Sequence, residues 1–383
     1  MRKQIAPTWT LLALAISAFA IGSTEFISVG LMPLLVKSFG ITVSQAGWTV
    51  SIYALGITIG APLLTLLTGR FDRKTLMLGI MTLFVASNLL AALAAFAHGL
   101  FMSVASVIAA DVVAPAKRAS AIAVMFTGLT VATVTGVPLG TFIGQIASWH
   151  MSFLFISAIG VIGLIANSLL IPRNLPRPGK TDPRGLLRIL LNPQLFVALL
   201  ITALGYGGTF TVYTFLSPLL EEKMGWSATT VVIILVVYGL MVAVGNTLGG
   251  RWANLQPLQA LRKMFIGLAL TLVALLATSS MHYLGLINVL VMGFFAFMNV
   301  PGLQLYIVKL AETYTPNDIT LASSLNISAF NIGIALGSLI GGQVTAKLDL
   351  GITPLFGAVM VGVSIILVGW LLRQAASVAD CTK

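Results

Sequence analysis

The chain has 383 residues, of which 58% are hydrophobic and only 8% are charged, and its formal net charge is +11. A soluble globular protein carries about 25% charged residues, so this composition excludes a protein surrounded by water on all sides and indicates one that lies mostly in lipid. The positive charge does not indicate nucleic-acid binding, because the basic residues form short clusters between apolar runs instead of one basic face. The single cysteine, Cys381, lies in a polar tail and predicts neither a disulfide nor a thiolate metal site.

Apolar runs follow one another along the whole chain, and a transmembrane helix needs about 20 mostly apolar residues. The runs of the first half are residues 11–35, 48–68, 75–110, 120–144 and 151–171, and those of the second half are residues 193–220, 229–248, 264–279, 284–305, 322–344 and 354–372. The first run begins like a signal peptide, but it continues past the would-be cleavage site, and we interpret it as an uncleaved helix.

The loops between these runs alternate in charge. Those at one end of the predicted helices hold only Lys37, Lys223 and Lys347, whereas the other loops and both terminal segments hold the remaining lysines and arginines. Cytoplasmic loops are enriched in basic residues, so both termini are predicted to be cytoplasmic and the number of spans to be even. The alternation holds only if the run 75–110 crosses the membrane twice, which makes twelve spans.

The two halves of the chain resemble each other. The motif at residues 22–24 and Pro33 in the first span match residues 207–209 and Pro218 in the seventh at a constant offset of 185. Repeated halves of this kind place a substrate site near the middle of the membrane, at their interface.

The repeat predicts an N-terminal six-helix bundle at residues 1–172, a cytoplasmic linker at 173–192 and a C-terminal six-helix bundle at 193–383. The offset rises from 189 at Arg73 to 203 at Ala119, so the first half is 14 residues shorter in its third and fourth spans. The sequence therefore predicts an all-α membrane protein with a shortened third and fourth span.

Glu25 in the first span is the only carboxylate that this interpretation leaves at membrane depth. Such residues are costly in lipid and usually functional, and a low dielectric favours the neutral form of a carboxyl group. We therefore expect Glu25 to bind and release a proton. The alternative is a carboxyl that only bonds a neighbouring helix or reaches the outer surface.

His98 in the fourth span is expected either to share proton transfer with Glu25 or to be a tolerated polar residue at a shortened helix end. Further polar and aromatic side chains at membrane depth are candidates to line a substrate cavity, namely Thr24, Tyr53, Tyr206, Tyr213, Asn246, Asn326 and Asn331. The tyrosines suit an amphipathic solute, whereas the asparagines have the alternative role of joining helices. The phenylalanines of the tenth span, Phe294, Phe295 and Phe297, are expected to face lipid or the core.

Two motifs are candidates for gating. The fifth span contains Gly136, Pro138 and Gly140, where small residues four apart let another helix approach closely and proline permits a bend. The loop after the second span contains Arg70, Asp72, Arg73 and Lys74. This loop either latches the two halves together at the cytoplasmic face or carries only the ordinary positive charge of such loops.

These motifs resemble those of the major facilitator superfamily, in particular residues 69–74 after the second span and 136–140 in the fifth. Residues 22–26, 60–63 and 149–153 resemble the bacterial drug:proton antiporters, a group that includes arabinose-efflux-permease-like exporters. The resemblance implies the major facilitator fold and proton-driven export. The chain departs from the group where His150 replaces an arginine and where no arginine precedes His98.

We therefore predict a multi-pass antiporter of the bacterial cytoplasmic (inner) membrane, which exports a small organic solute in exchange for protons by alternating access. It is expected to be a monomer that needs no metal, cofactor or nucleic acid, and the sequence has no phosphate-binding loop. The alternatives are a proton-independent sugar or metabolite facilitator and a copy impaired in transport by its shortened third and fourth spans. An enzyme is disfavoured, because the three histidines lie in separate segments without a cluster of acids.

Overall fold

The structure is a computed structural model that describes residues 6–68, 72–87, 98, 101–102, 104–105, 108–109, 112–114, 118–172, 175, 184–254 and 256–381. Within these ranges the regular structure is helical throughout, and no strand is formed. The helices before residue 172 are α1 (Pro7–Phe39), α2 (Val43–Thr68), α3 (Arg73–Ser87), α4 (Arg118–Val131), α5 (Val137–Ile146) and α6 (Trp149–Leu170). A single π-helical turn at Ala132–Gly136 joins α4 to α5.

The later helices are α7 (Arg184–Leu191), α8 (Pro193–Tyr213), α9 (Ala228–Ala253), α10 (Pro257–Thr278), α11 (His282–Ala296), α12 (Val300–Tyr314), α13 (Ile319–Lys347) and α14 (Thr353–Cys381). Short helical turns follow α8 at Leu216–Pro218 and Leu219–Lys223, and others precede α13 and α14 at Pro316–Asp318 and Leu350–Ile352.

Ten stretches of the described residues are long and apolar enough to cross a membrane. They agree with the predicted spans, apart from the third and fourth. In the region of those two spans the structure describes one helix, α3, which at 15 residues is too short to be among the ten stretches. Much of the predicted run 75–110, including residues 88–97, lies outside the described residues.

Two of the predicted apolar runs are interrupted in the structure. The run 193–220 breaks after Tyr213, and the run 284–305 breaks between Ala296 and Val300. Each break lies where a proline, Pro218 or Pro301, lacks the N–H that would bond the carbonyl four residues earlier. An apolar run alone does not reveal such a break.

Buried apolar side chains form one cluster among α1 to α6 and a larger one among the helices after residue 193. Phe26, Val50 and Val137 belong to the second cluster although they precede residue 172. These side chains therefore connect the two parts of the chain through apolar contacts.

The two parts of the chain also meet along helix pairs, α2 with α13 and the α4–α5 segment with α9. The Ser51 hydroxyl donates to the carbonyl oxygen of Ala335 at 3.4 Å, and the Gln145 amide donates to that of Ala228 at 3.1 Å. Gly239 allows the second pair to approach closely, since a Cβ there would lie 2.5 Å from Val134 Cα. The Ser51 and Gln145 contacts close the end of the molecule that is predicted to be extracellular, and the Gly239 contact lies deeper along the same seam.

Two tryptophan–histidine stacks lie at that same end. The rings of Trp149 and His150 are 3.6 Å apart with an angle of 26° between their planes, and those of Trp226 and His282 are 3.7 Å apart at 21°. His150, which stands where the resembling group has an arginine, thus packs on its neighbouring indole.

The predicted linker contains a helix, α7, that the sequence analysis did not anticipate. Arg188 donates two hydrogen bonds to Asp318, from Nε to Oδ2 at 2.9 Å and from Nη2 to Oδ1 at 3.0 Å. Ile189 is fully buried among residues of α8, α12 and α13. The helix is therefore attached to the second part of the chain by one bidentate ion pair and one apolar anchor.

Candidate functional site

Glu25 lies in the middle of α1, the most deeply buried long helix before residue 172. Small residues allow this burial, because a Cβ at Gly22 would lie 3.1 Å from Ala132 Cβ, and Gly30 packs against Thr141. The carboxyl-bearing residue is only 8% exposed. Neighbouring Thr24 donates its hydroxyl to the Ala20 carbonyl of its own helix at 3.3 Å.

Three of the predicted site residues meet at this point. His98 Nε2 lies 3.8 Å from Glu25 Oε2, and His98 Nδ1 lies 3.2 Å from the hydroxyl oxygen of Tyr53. His98 is 3% exposed, and Tyr53 extends to it from α2. Residues that are far apart in the sequence thus form one cluster, in which Glu25 and His98 are buried and Tyr53 is partly buried, and which we call the Glu25–His98–Tyr53 site.

The chemistry of this site is that of two groups that can each hold a proton. A separation of 3.8 Å is longer than an ordinary hydrogen bond, so Glu25 and His98 interact through charge when both are ionised. The pair has zero net charge in two forms, a neutral imidazole beside a protonated carboxyl and an imidazolium beside a carboxylate. When the shared proton is lost, a neutral imidazole and a carboxylate remain, and the pair is negatively charged. Because an unpaired charge is costly away from water, gain or loss of that proton changes the stability of the buried site.

An aromatic cluster lies beside this site. Phe26, which follows Glu25, packs against three rings at centroid distances of 5.9 to 6.3 Å. The aromatic cluster consists of Phe26, Tyr206, Phe210, Tyr213, Tyr238, Phe297 and Phe330. Phe297 therefore faces the core and not lipid, which decides between the two expectations for this residue, while Phe294 and Phe295 pack at the edge of the larger apolar cluster.

Asn326 joins three helices. Its Oδ1 accepts from the Thr202 hydroxyl at 2.7 Å, and its Nδ2 donates to Gln304 Oε1 at 2.8 Å. Gln304 in turn donates to Ser323 Oγ at 2.6 Å. These contacts fit the alternative in which an asparagine joins helices.

The other two predicted asparagines keep a free acceptor. Asn331 donates Nδ2 to the Ile327 carbonyl of its own helix at 2.9 Å, and Asn246 donates to Thr130 Oγ1 at 3.4 Å. The Oδ1 atoms of both asparagines are buried and have no hydrogen-bond partner among the described residues, and the same holds for the Tyr238 hydroxyl. The hydrogen-bonding capacity of these three oxygen atoms is therefore unfilled within the described residues.

The predicted gating residues after the second span contact other residues of the first part of the chain, up to residue 172. Asp72 Oδ2 accepts from the backbone N–H and the hydroxyl of Thr75 at 3.0 and 3.1 Å and so caps α3. Lys74 Nζ donates to the Ile171 carbonyl at the end of α6 at 2.6 Å, and Arg73 is buried beside it. Arg70 lies outside the described residues.

The predicted glycine motif of the fifth span packs against α1. Gly136 lies against Ser23, and Gly140 lies against Ile27. Pro138 stands in the first turn of α5, directly after the π-helical turn. The motif therefore contributes to close packing next to the Glu25–His98–Tyr53 site.

Sequence reasoning missed several residues of this region, namely Phe26, Thr202, Phe210, Gln304 and Phe330. Gln304 could have been selected by the rule that selected the asparagines, because it lies inside the apolar run 284–305. The phenylalanines carried no such signal, since phenylalanine is common at lipid-facing positions as well. Among the described residues no group of three or more histidine, cysteine or acidic side chains is placed to hold a metal ion.

Comparisons with known proteins assign the fold and the family. The sequence profile of the Major Facilitator Superfamily matches residues 14–315. The chain is 53% identical over 373 residues to the uncharacterized MFS-type transporter YtbD of Bacillus subtilis, covering 94% of each chain. It is 36% identical over 374 residues to the inner membrane transport protein YdhP of Escherichia coli K12, covering 94% of this chain and 95% of YdhP.

Two solved structures have the same fold. The human organic anion transporter MFSD10 superposes with a TM-score of 0.71 at 16% identity, over 96% of this chain and all of that one. A bacterial homolog of the human lysosomal transporter Spinster, in an inward-facing and occupied conformation, superposes with a TM-score of 0.73 at 14% identity, over 97% and 98% of the two chains. The profile match, the relatives and the helical architecture together show that this chain is a multi-pass membrane transport protein and that it belongs to the major facilitator superfamily.

Proposed function

We propose that this transporter exports a small organic solute from the bacterial cytoplasm in exchange for protons, as a member of the drug:proton antiporter group. The observation that carries the proposal is the buried approach of His98 Nε2 to Glu25 Oε2 at 3.8 Å, with Tyr53 at the other imidazole nitrogen. A carboxyl and an imidazole in this arrangement form a group that can load and release one proton.

In the proposed cycle, protons reach the Glu25–His98–Tyr53 site from outside and neutralise it. The solute binds the neighbouring aromatic cluster when that proton is absent, so proton and solute occupy the transporter alternately. The membrane potential supplies about 2.3 kcal/mol per charge per 100 mV, and the pH gradient adds to it. No nucleotide is consumed.

The helix pairs between the two parts of the chain support alternating access. Their contacts close the predicted extracellular end through Ser51 with Ala335 and Gln145 with Ala228. We propose that residues 1–172 and 193–383 move as two bundles, which separate along these seams when that end opens. Both termini would then lie in the cytoplasm, and one chain would suffice for transport.

The residues around the site favour an amphipathic solute. The aromatic cluster offers ring faces, and the free acceptors of Asn246 and Asn331 suit a solute with N–H or O–H groups. Asn246 also contacts Thr130 across the seam between the two parts of the chain. A solute held there would touch both bundles.

The test is proton flux in liposomes that contain the purified chain, measured over a panel of amphipathic solutes. We expect the wild type to couple solute efflux to proton entry and Glu25→Gln to lose that coupling. Glu222→Gln is the matched control, because it removes an exposed carboxylate outside the spans and should leave coupling unchanged. Solute-driven proton flux that persists in Glu25→Gln would contradict the role of Glu25, and solute movement without any proton flux in the wild type would indicate a facilitator.

A further inference from the structure

A cavity of about 490 Å³ lies between α10 and α14, away from the Glu25–His98–Tyr53 site. Its lining consists of Gln259, Arg262, Lys263, Ile266 and Leu372. Arg262 and Lys263 are exposed, and Ile266 and Leu372 lie within the membrane-spanning stretches Pro257–Thr278 and Leu350–Gln374. The cavity therefore has two cations on one side and apolar side chains on the other.

The apolar side continues along both helices away from the cations. On α10, Ile266, Leu270 and Val273 share one face and are 39%, 66% and 54% exposed. On α14, Gly369 lies about one turn before Leu372 and Gly362 about two turns before Gly369, and a Cβ at either glycine would meet nothing within 4 Å. Beyond the cavity, α10 thus presents exposed apolar side chains and α14 presents uncovered glycines, and we call this apolar surface the groove.

The equivalent place in the first half of the chain is filled. Arg262 and Lys263 correspond in the repeat to Arg73 and Lys74. Those two residues are buried, and Lys74 donates to the carbonyl of Ile171 at the end of α6. In the second half the pair is exposed beside Leu372, near the end of the membrane-spanning stretch Leu350–Gln374. The two cations are therefore available there to a ligand from outside the chain.

We infer that this cavity and groove bind one anionic phospholipid, with its phosphate between Arg262 and Lys263 and an acyl chain along the groove. Basic pockets between transmembrane helices on the cytoplasmic side suit acidic lipid headgroups, and this end of α10 is the one predicted to be cytoplasmic. A free anion would use the cations but not the apolar groove. A neutral lipid would use the groove but not the cations.

The test is native mass spectrometry of the full chain in detergent, titrated with phosphatidylglycerol or with phosphatidylcholine of the same acyl chains. Each basic residue near anionic lipid contributes about a fivefold gain in affinity, so Arg262→Gln/Lys263→Gln should weaken phosphatidylglycerol binding about 30-fold. The matched control Arg251→Gln/Lys309→Gln removes the same charge from exposed positions predicted to face the cytoplasm and should leave this binding unchanged. Equal binding of the two lipids by the wild type, or unchanged binding by Arg262→Gln/Lys263→Gln, would overturn the inference.

A second variant tests the acyl groove and does not depend on charge. Gly369→Leu places a side chain in open space, so we expect the protein to fold with a melting temperature close to that of the wild type and to bind phosphatidylglycerol several-fold more weakly. Inorganic phosphate added at the lipid concentration should not displace the lipid. Displacement by phosphate would show that the site binds a free anion. Undiminished binding by Gly369→Leu would contradict the inference that an acyl chain lies in the groove.

Discussion

His98 is the residue on which the proposed proton site depends, because its two ring nitrogens face different helices. Nδ1 lies beside the Tyr53 hydroxyl of α2, and Nε2 lies beside the Glu25 carboxyl of α1. Glu25 could be selected from the sequence because it is a carboxylate in an apolar run. The distance between Glu25 and His98 could not be predicted from the sequence, because the two residues are far apart along the chain and only the packing of the helices brings them together.

Tyr53→Phe removes the hydroxyl beside His98 and leaves the ring in place. One hydrogen bond contributes about 0.5–1.5 kcal/mol, so we expect proton-coupled efflux to slow about 2- to 10-fold and its pH profile to move. The measurement is efflux from liposomes as a function of pH. Tyr283→Phe is the control, because Tyr283 is 71% exposed, and an unchanged pH profile in Tyr53→Phe would contradict the role of Tyr53.

Asp349 offers a pH-dependent contact outside the spans. The hydrogen bond from Lys223, at 2.5 Å, holds the pKa of Asp349 below its ordinary value of 3.8, with further help from the Gly351 N–H. The contact therefore stabilises the fold above pH 3.8, and its contribution is lost as the pH falls through the lowered pKa. Asp349→Asn should lower the melting temperature at neutral pH by at most about 2 °C, because exposed ion pairs contribute little.

The asparagine of that variant can still accept from Gly351, so the comparison isolates the ion pair with Lys223. Melting temperatures of both proteins should converge as the pH is lowered below 3.8. A difference that stays constant with pH would show that the ion pair is not its cause.

At the scale of helices, the segment from α4 to α5 is defined by glycines that face α1. Gly128 lies against the Ala15 carbonyl, and Gly144 lies against Leu31. The spacing of the later glycines was visible in the sequence and predicted close packing. The π-helical turn at Ala132–Gly136 was not visible, because one extra residue in a turn leaves the apolar run unchanged.

Gly128→Ala tests this close approach. Its Cβ would collide with the backbone of α1, which cannot move aside as a side chain can. Overpacking of this kind costs about 1–3 kcal/mol, so we expect a clearly lower melting temperature in detergent. Gly79→Ala is the control, since a Cβ there meets nothing within 4 Å, and equal melting temperatures of the two variants would contradict the proposed packing.

At the scale of the whole molecule, the sequence predicted the major facilitator fold, which the comparisons confirm. The repeat and the alternation of charged loops predicted two sets of membrane-spanning helices, because lipid restricts spanning segments of such composition to helices. The particular fold came from the resemblance of residues 69–74 and 136–140 to the motifs of this superfamily. What the sequence did not predict is which end of the molecule is closed. That depends on contacts such as Ser51 with Ala335, and the same residues would have other neighbours in another state of the transport cycle.

A disulfide across the closed end tests whether that end must open. A Cβ at Gly342 would lie 3.3 Å from Ser44 Oγ, so Ser44→Cys/Gly342→Cys should form a bond on oxidation in a chain whose Cys381 is replaced by serine. We expect oxidation to abolish transport and reduction to restore it, as measured by efflux from liposomes. Oxidant should leave transport by the single variant Ser44→Cys unchanged. Full transport by the oxidised double variant would refute opening at this seam.

The two tryptophan–histidine stacks give the protein two tryptophans whose fluorescence can report on their surroundings. Each of these indoles lies on an imidazole at a ring-centroid distance of 3.6 or 3.7 Å, so the imidazole is the aromatic neighbour best placed to alter the fluorescence of that tryptophan. Trp149 and Trp226 both stand at the end predicted to face outside, while the other tryptophans lie against no histidine ring among the described residues. His150→Ala should therefore change the emission of Trp149, and His282→Ala that of Trp226, so the unlabelled protein carries one fluorescent reporter at the predicted outer end of each half.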